Sequence, residues 1–125
     1  MKILAVTPLH IVDAIEPALP FWTERLGYTV VASVPHEDAL GFALLVRDGS
    51  QIMLQTRKSV AADVPAMASE RSALYVDVAS LAEATAAVQG AEIVLPERTT
   101  FYGAKELWIR DPAGIVIGLS EHHRE

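Results

Sequence analysis

Few side chains in this 125-residue chain are equipped for chemistry, and their types narrow the options quickly. Cysteine is absent, which excludes disulfides, thiolate zinc sites, iron–sulfur clusters and a thiol nucleophile together. Four histidines remain: His10, His36, His122 and His123. His36 stands in the polar stretch Pro35-His36-Glu37-Asp38 and reads as a solvated loop, while His122-His123 read as a frayed terminus. His10 alternates with Leu9 and Ile11, which sends it to the helix side of a strand or to an edge, as a hydrogen-bonded structural residue. A Ser-His-Asp triad therefore has no histidine to use in a cavity. The best candidate for proton transfer is Glu106 as a general base, on the condition that burial raises its pKa toward working pH. The alternative for Glu106 is a structural or surface carboxylate.

The charge balance restricts partners. With 10 Lys+Arg against 16 Asp+Glu the formal charge is −6. Nucleic-acid grooves need a basic stripe, and the longest basic run is Arg57-Lys58, so DNA or RNA binding is excluded. Residues 1–62 carry 5 basic and 6 acidic side chains, and residues 63–125 carry 5 and 10. That acidic second half either attracts a cationic ligand or only aids solubility. No apolar window reaches the roughly 20 residues of a membrane span. The apolar run at the N-terminus, ended by Thr7-Pro8, is too short for a signal segment, so a cytoplasmic protein is expected.

The elements that must position these residues come in two matching sets. Residues 3–12 read as a strand. Asp13 with Glu16 offers a capping-box variant opening a helix, with Pro17 in its first turn, and Gly27 stops it. Strands follow at about 28–34, 40–47 and 51–56, the last after the Asp48-Gly49 turn. The second half repeats the order: a strand at 72–78, a helix opened by a Ser80/Glu83 capping box, running to Gln89 and stopped by Gly90, and strands at about 92–96, 105–110 and 114–120. Gly27 to Gly90 and Asp48 to Asp111 are each 63 positions apart, which suggests a constant repeat register. Residues 57–70 have linker composition. The expected fold is α+β, a single domain over 1–125, with module 1 at about 3–56 and module 2 at about 71–120. The two repeated βαβββ modules form a concave sheet cavity. Within the strands, Ile52 and Leu54, Leu107 and Ile109, and Ile115, Ile117 and Leu119 form aliphatic faces suited to packing under helices. The opposite faces, with Met53, Glu106 and Trp108, suit the wall of a cavity.

Three stretches carry a family resemblance. They are Thr7-Pro8-Leu9-His10-Ile11-Val12 leading into Pro20-Phe21-Trp22-Thr23-Glu24-Arg25-Leu26-Gly27-Tyr28, then Ala73-Leu74-Tyr75-Val76-Asp77-Val78, and Tyr102-Gly103-Ala104-Lys105-Glu106-Leu107-Trp108-Ile109-Arg110-Asp111-Pro112-Ala113-Gly114. Together with the repeat, they resemble the vicinal oxygen chelate superfamily of glyoxalases, extradiol dioxygenases, fosfomycin-resistance enzymes and bleomycin-resistance proteins, over essentially the whole chain. Enzymes of that superfamily hold a divalent metal with His, Glu or Gln from four strands. By motif, the four positions fall here on Thr7, Met53, Arg71 and Gly118. Thr and Met suit hard cations poorly, Arg is a fixed cation and Gly has no side chain. The neighbours Val6, Pro8, Ile52, Leu54, Ser72, Ile117 and Leu119 do not rescue the site.

The resemblance thus implies the metal-free branch that includes bleomycin-resistance proteins, without a cofactor. Its cavity wall would comprise Thr7, Leu9, Gln51, Met53, Gln55, Arg71, Tyr75, Tyr102, Glu106, Trp108 and Gly118. Gly118 would widen the floor. Arg71 would hold a carboxylate or phosphate, or else pair with Glu106 or point outward. The function implied is binding of a small molecule, sequestering an antibiotic or metabolite, by a homodimer with no nucleic-acid or membrane partner. The alternative is a glyoxalase- or dioxygenase-like enzyme using Glu106, Tyr102 or Arg71, or an unrecognised metal site.

Overall fold

The computed structural model describes residues 1–69, 71 and 73–122. Ser72, expected to open a strand, and His123 lie outside the described residues. The chain divides into two compact units, Met1–Arg71 and Ser72–Glu125.

The first unit holds β1 (Leu9–Val12), β2 (Thr29–His36), β3 (Ala39–Arg47) and β4 (Ser50–Thr56) in the sheet order β1-β4-β3-β2, with β1 parallel to β4. The second holds β5 (Ala73–Asp77), β6 (Glu92–Thr99), β7 (Lys105–Arg110) and β8 (Val116–Glu121) in the order β5-β8-β7-β6, with β5 parallel to β8. The fold is α+β, as the alternation of the strands predicts. One face of each sheet is aliphatic and buried: Val12, Ala43, Leu45, Ile52 and Leu54 in the first, Leu107, Ile109, Ile117 and Leu119 in the second. His10 is buried on the same face as Val12.

Several local expectations change, each for a physical reason. The first strand starts at Leu9, not residue 3, and Ile3, Leu4 and Val6 are exposed. Leu9 pairs with Met53, and β4 begins at Ser50, so residues before 6 have no β4 partner in this parallel register. The first helix is irregular: a 3₁₀ turn, Glu16–Ala18, passes through helical Leu19 and Pro20 into a π turn, Phe21–Arg25. Pro17 and Pro20 each remove an N–H that a regular helix would use. The last turn closes instead through Leu26 N–H to the Phe21 carbonyl, at 3.1 Å. The Asp13/Glu16 capping box does not form: Asp13 pairs with Arg57 Nε at 2.8 Å, and Glu16 accepts from Leu40 N at 2.7 Å.

The expected linker at 57–70 contains a helix, α1 (Arg57–Asp63), because the Thr56 hydroxyl accepts from Ser59 N and caps it. In the second unit, α2 (Leu81–Ala87) has the expected Ser80 cap, which accepts from Glu83 N at 3.2 Å. The repeat register is not constant. The helix-facing pair Ala43↔Leu54 corresponds to Leu107↔Leu119, an offset of 64 between 43 and 107 and of 65 between 54 and 119. The Asp111-Pro112-Ala113-Gly114 turn accounts for the extra residue.

The edge strands run longer than expected, to His36 and Thr99, and each contains a proline, Pro35 or Pro96. An edge strand tolerates proline because its outer N–H groups need no ladder partner. Both strands bulge there, with register shifts between Val34 and Pro35 and between Leu95 and Arg98. No helix among the described residues is long and apolar enough to cross a membrane. Ile109 is 0% exposed and Ile93, on edge strand β6, is 53% exposed. In urea unfolding, Ile109→Ala is therefore expected to cost about 2–4 kcal/mol and Ile93→Ala less than about 1 kcal/mol.

Candidate functional site

The side of the second sheet opposite its aliphatic face carries a cluster of polar and aromatic side chains. Two cross-strand rows build it. One runs Tyr75–Gly118–Trp108–Leu95 and the next Asp77–Ser120–Glu106–Arg98. Glu106, on the central strand β7, is 2% exposed, and four donors converge on it. Its Oε2 accepts from the hydroxyls of Tyr75 at 2.7 Å and Tyr102 at 2.8 Å. Its Oε1 accepts from the Trp108 indole N–H at 3.2 Å and from Arg98 at 3.3 Å.

These bonds decide the protonation state. The hydrogen bonds from Tyr75 and Tyr102, helped by Trp108 and Arg98, outweigh desolvation and lower the Glu106 pKa from 4.5 to about 2. The condition for a general base therefore fails: burial does not raise Glu106 toward working pH, and both oxygens already accept twice. On Tyr75 the Ser120 hydroxyl pulls the phenol down. Tyr102, desolvation and the Glu106 carboxylate together outweigh it, pushing the phenol up to about 12.

The bulge in β6 puts the cation there. Leu95 pairs with Trp108, so an unbroken antiparallel ladder would set Glu97 opposite Glu106. The register shift across Pro96-Glu97 places Arg98 there instead, replacing like-charge repulsion by an ion pair. Pro96 marks the end of a strand in the sequence, which is why Arg98 escapes notice there.

His122 is the second residue the sequence reading misses. It continues the alternation Gly118, Ser120, His122 beyond the expected strand end, and its Nε2 lies 3.0 Å from the Tyr75 hydroxyl. Tyr75 has one hydroxyl proton and gives it to Glu106, so the Nε2–H of His122 is the donor to Tyr75. The imidazole also stacks on Tyr102, with ring centroids 6.1 Å apart.

Gly118 does not widen the floor. The Trp108 ring lies across it, so close that a Cβ at 118 would sit 2.6 Å from the ring. Arg71 precedes β5 and is exposed, and the cation paired with Glu106 is Arg98.

The first unit gathers Thr7, Leu9, Gln51, Met53 and Gln55 on the open side of its sheet. Gln51 donates to the Thr7 hydroxyl, Leu9 pairs with Met53, and Gln55 donates to Ser59 at 3.0 Å. His36 lies elsewhere, at a groove of about 200 Å³ lined also by Asp13, Glu16, Glu37, Asp38 and Lys58. The four metal positions do not fit a divalent cation. Thr7 is bonded to Gln51, Arg71 is a cation, Met53 offers only a thioether, and the Trp108 ring fills the space a side chain at 118 would need. Among the described residues no three His, Cys, Asp or Glu side chains are grouped to hold a metal.

A family model described as "Glyoxalase/Bleomycin resistance protein/Dioxygenase superfamily" matches residues 6–119. Solved structures agree in fold. A glyoxalase/bleomycin resistance protein/dioxygenase from Nocardioides is 20% identical with a TM-score of 0.76, covering 98% of this chain and 85% of that one. A member of the same superfamily from Sphaerobacter thermophilus is 20% identical at a TM-score of 0.75, covering 97% and 98%. A glyoxalase-related enzyme from Fulvimarina pelagi is 16% identical at 0.71, covering 96% and 89%. No curated protein matches.

A carboxyl held below its ordinary 4.5 contributes stability above that pH and loses it as pH falls toward about 2. Stability is expected to drop across this window. Glu106→Gln should make the drop shallower while costing about 1–3 kcal/mol at neutral pH, because an amide nitrogen cannot accept from the donors on that side. Urea unfolding at a series of pH values checks both, and Glu16, held low by the Leu40 amide, supplies part of the remaining slope.

Proposed function

We propose that this chain, which belongs to the glyoxalase/bleomycin resistance protein/dioxygenase superfamily, binds a small planar molecule on the aromatic side of its second sheet without a metal and without converting it. The observation that carries this reading is how Glu106 is used. Its buried carboxylate holds two phenols and an indole in fixed positions, while Tyr75 and Tyr102 remain 48% and 54% exposed. Rings locked before the ligand arrives lose little entropy on binding, as recognition requires. Proton transfer has less support, since the candidate base is ionised and saturated. Sequestering an antibiotic or metabolite of this shape is the biological role we infer, in the cytoplasm. The exposed valines of β2 (Val30, Val31, Val34) and the Ile93 and Val94 of β6 lend support to a homodimer, because unpaired apolar edges favour association.

The two tryptophans allow a direct test. Trp22 is buried in the first unit and Trp108 lies on the proposed face, so their indole N–H signals report separately in a proton–nitrogen NMR spectrum. Titration with planar aromatic probes such as quinoline and naphthamide is expected to move the Trp108 signal and leave Trp22 in place. Movement of neither signal with any probe overturns the reading. Light scattering at micromolar concentration is expected to give twice the 13.5 kDa chain mass, and a monomer mass would remove the dimer.

A further inference from the structure

The charges on the proposed face specify its ligand further, an inference that rests on the binding reading above. Four carboxylates of the second half are committed to structure. Glu92 pairs with Arg110 at 2.8 Å, and Asp111 accepts from Ala113 N and Ile115 N in the turn before β8. Glu121 accepts from Leu81 N at the start of α2, and Glu106 is buried under its four donors. These carboxylates are therefore poor anchors for a cationic ligand.

Arg98 is placed differently. Its side chain is 54% exposed, and its bond to Glu106 runs through one terminal nitrogen at a long 3.3 Å. A guanidinium has five N–H donors in a planar fork suited to two carboxylate oxygens. The other arginine of this face, Arg110, is bound to both Glu92 and the Gly114 carbonyl. Asp77 faces the same side but on β5, at the far edge of the sheet from β6. The β6 bulge thus brings one incompletely used cation beside Tyr102 and Trp108, which share its carboxylate partner.

We infer that the ligand is a planar aromatic acid, its ring against Tyr102 and Trp108 and its anionic group on the outward donors of Arg98. The repositioned Arg98, and not Arg71, is the specificity-determining residue.

Matched probes separate the claims: naphthoate, the uncharged naphthamide and the cationic naphthylmethylammonium, titrated by calorimetry and by the Trp108 indole signal. Naphthoate is expected to bind at least 10-fold tighter than naphthamide, with the ammonium weakest, and added salt should narrow the gap. Arg98→Gln should bring the naphthoate-to-naphthamide ratio close to one. Arg98→Lys, which keeps the charge without the fork, should fall between. Lys105→Gln, which removes a positive charge from the opposite side of β7, should leave the ratio unchanged. Equal or tighter binding of naphthamide, or an unchanged ratio in both Arg98 variants, overturns this inference and leaves the binding reading standing. If no probe moves the Trp108 signal, both fall.

Discussion

A buried carboxylate cannot stand alone in a protein interior, and that constraint organises the second half of this chain. Ionised Glu106 requires donors from every direction. They come from β5 through Tyr75, from the turn before β7 through Tyr102, from β7 itself through Trp108, and from β6 through Arg98. Removing any one leaves the others bonded to a less well compensated charge. The aromatic face is thus a consequence of satisfying one anion, and its rings are held by hydrogen bonds as well as by packing.

The two units share a plan and differ in what they do with their open sides. In both, the helix-packed face is aliphatic, so the fold needs little from the opposite one. The first unit uses its open side for amide-to-hydroxyl bonds, Gln51 to Thr7 and Gln55 to Ser59, which are neutral. The second concentrates charge and aromatic rings around a single residue. Gly118 and Trp108 are complementary within it: the missing side chain of one is the space occupied by the ring of the other. A side chain at 118, the position that the resemblance marks for a metal ligand, has no room beside this indole.

The edge strand β6 connects architecture to recognition. Proline cannot serve in a central strand, but at an edge it costs little and favours a bulge. Here the bulge exchanges Glu97 for Arg98 opposite the buried carboxylate. One residue of slippage thereby turns a like-charge contact into an ion pair and leaves guanidinium donors facing outward.

Much of the fold was legible in the sequence because its causes are local. Period-2 alternation assigned Leu107 and Ile109 to one face and Glu106 and Trp108 to the other, and Ser80 with Glu83 N marked the start of α2. The poor ligand chemistry of Thr7, Met53, Arg71 and Gly118 could be read from residue type once the resemblance had marked those positions. Local signals misled where distant partners intervened: Asp13 and Glu16 look like a cap but are drawn away to Arg57 and Leu40. Tertiary structure alone decided the role of Glu106, since a carboxyl's pKa follows from the groups around it and these come from residues 75 to 108. It also decided the inclusion of His122 and Arg98, because strand extension and bulge register depend on partners far along the chain. Composition determined which chemistry was possible, and cross-strand register determined which of it was assembled.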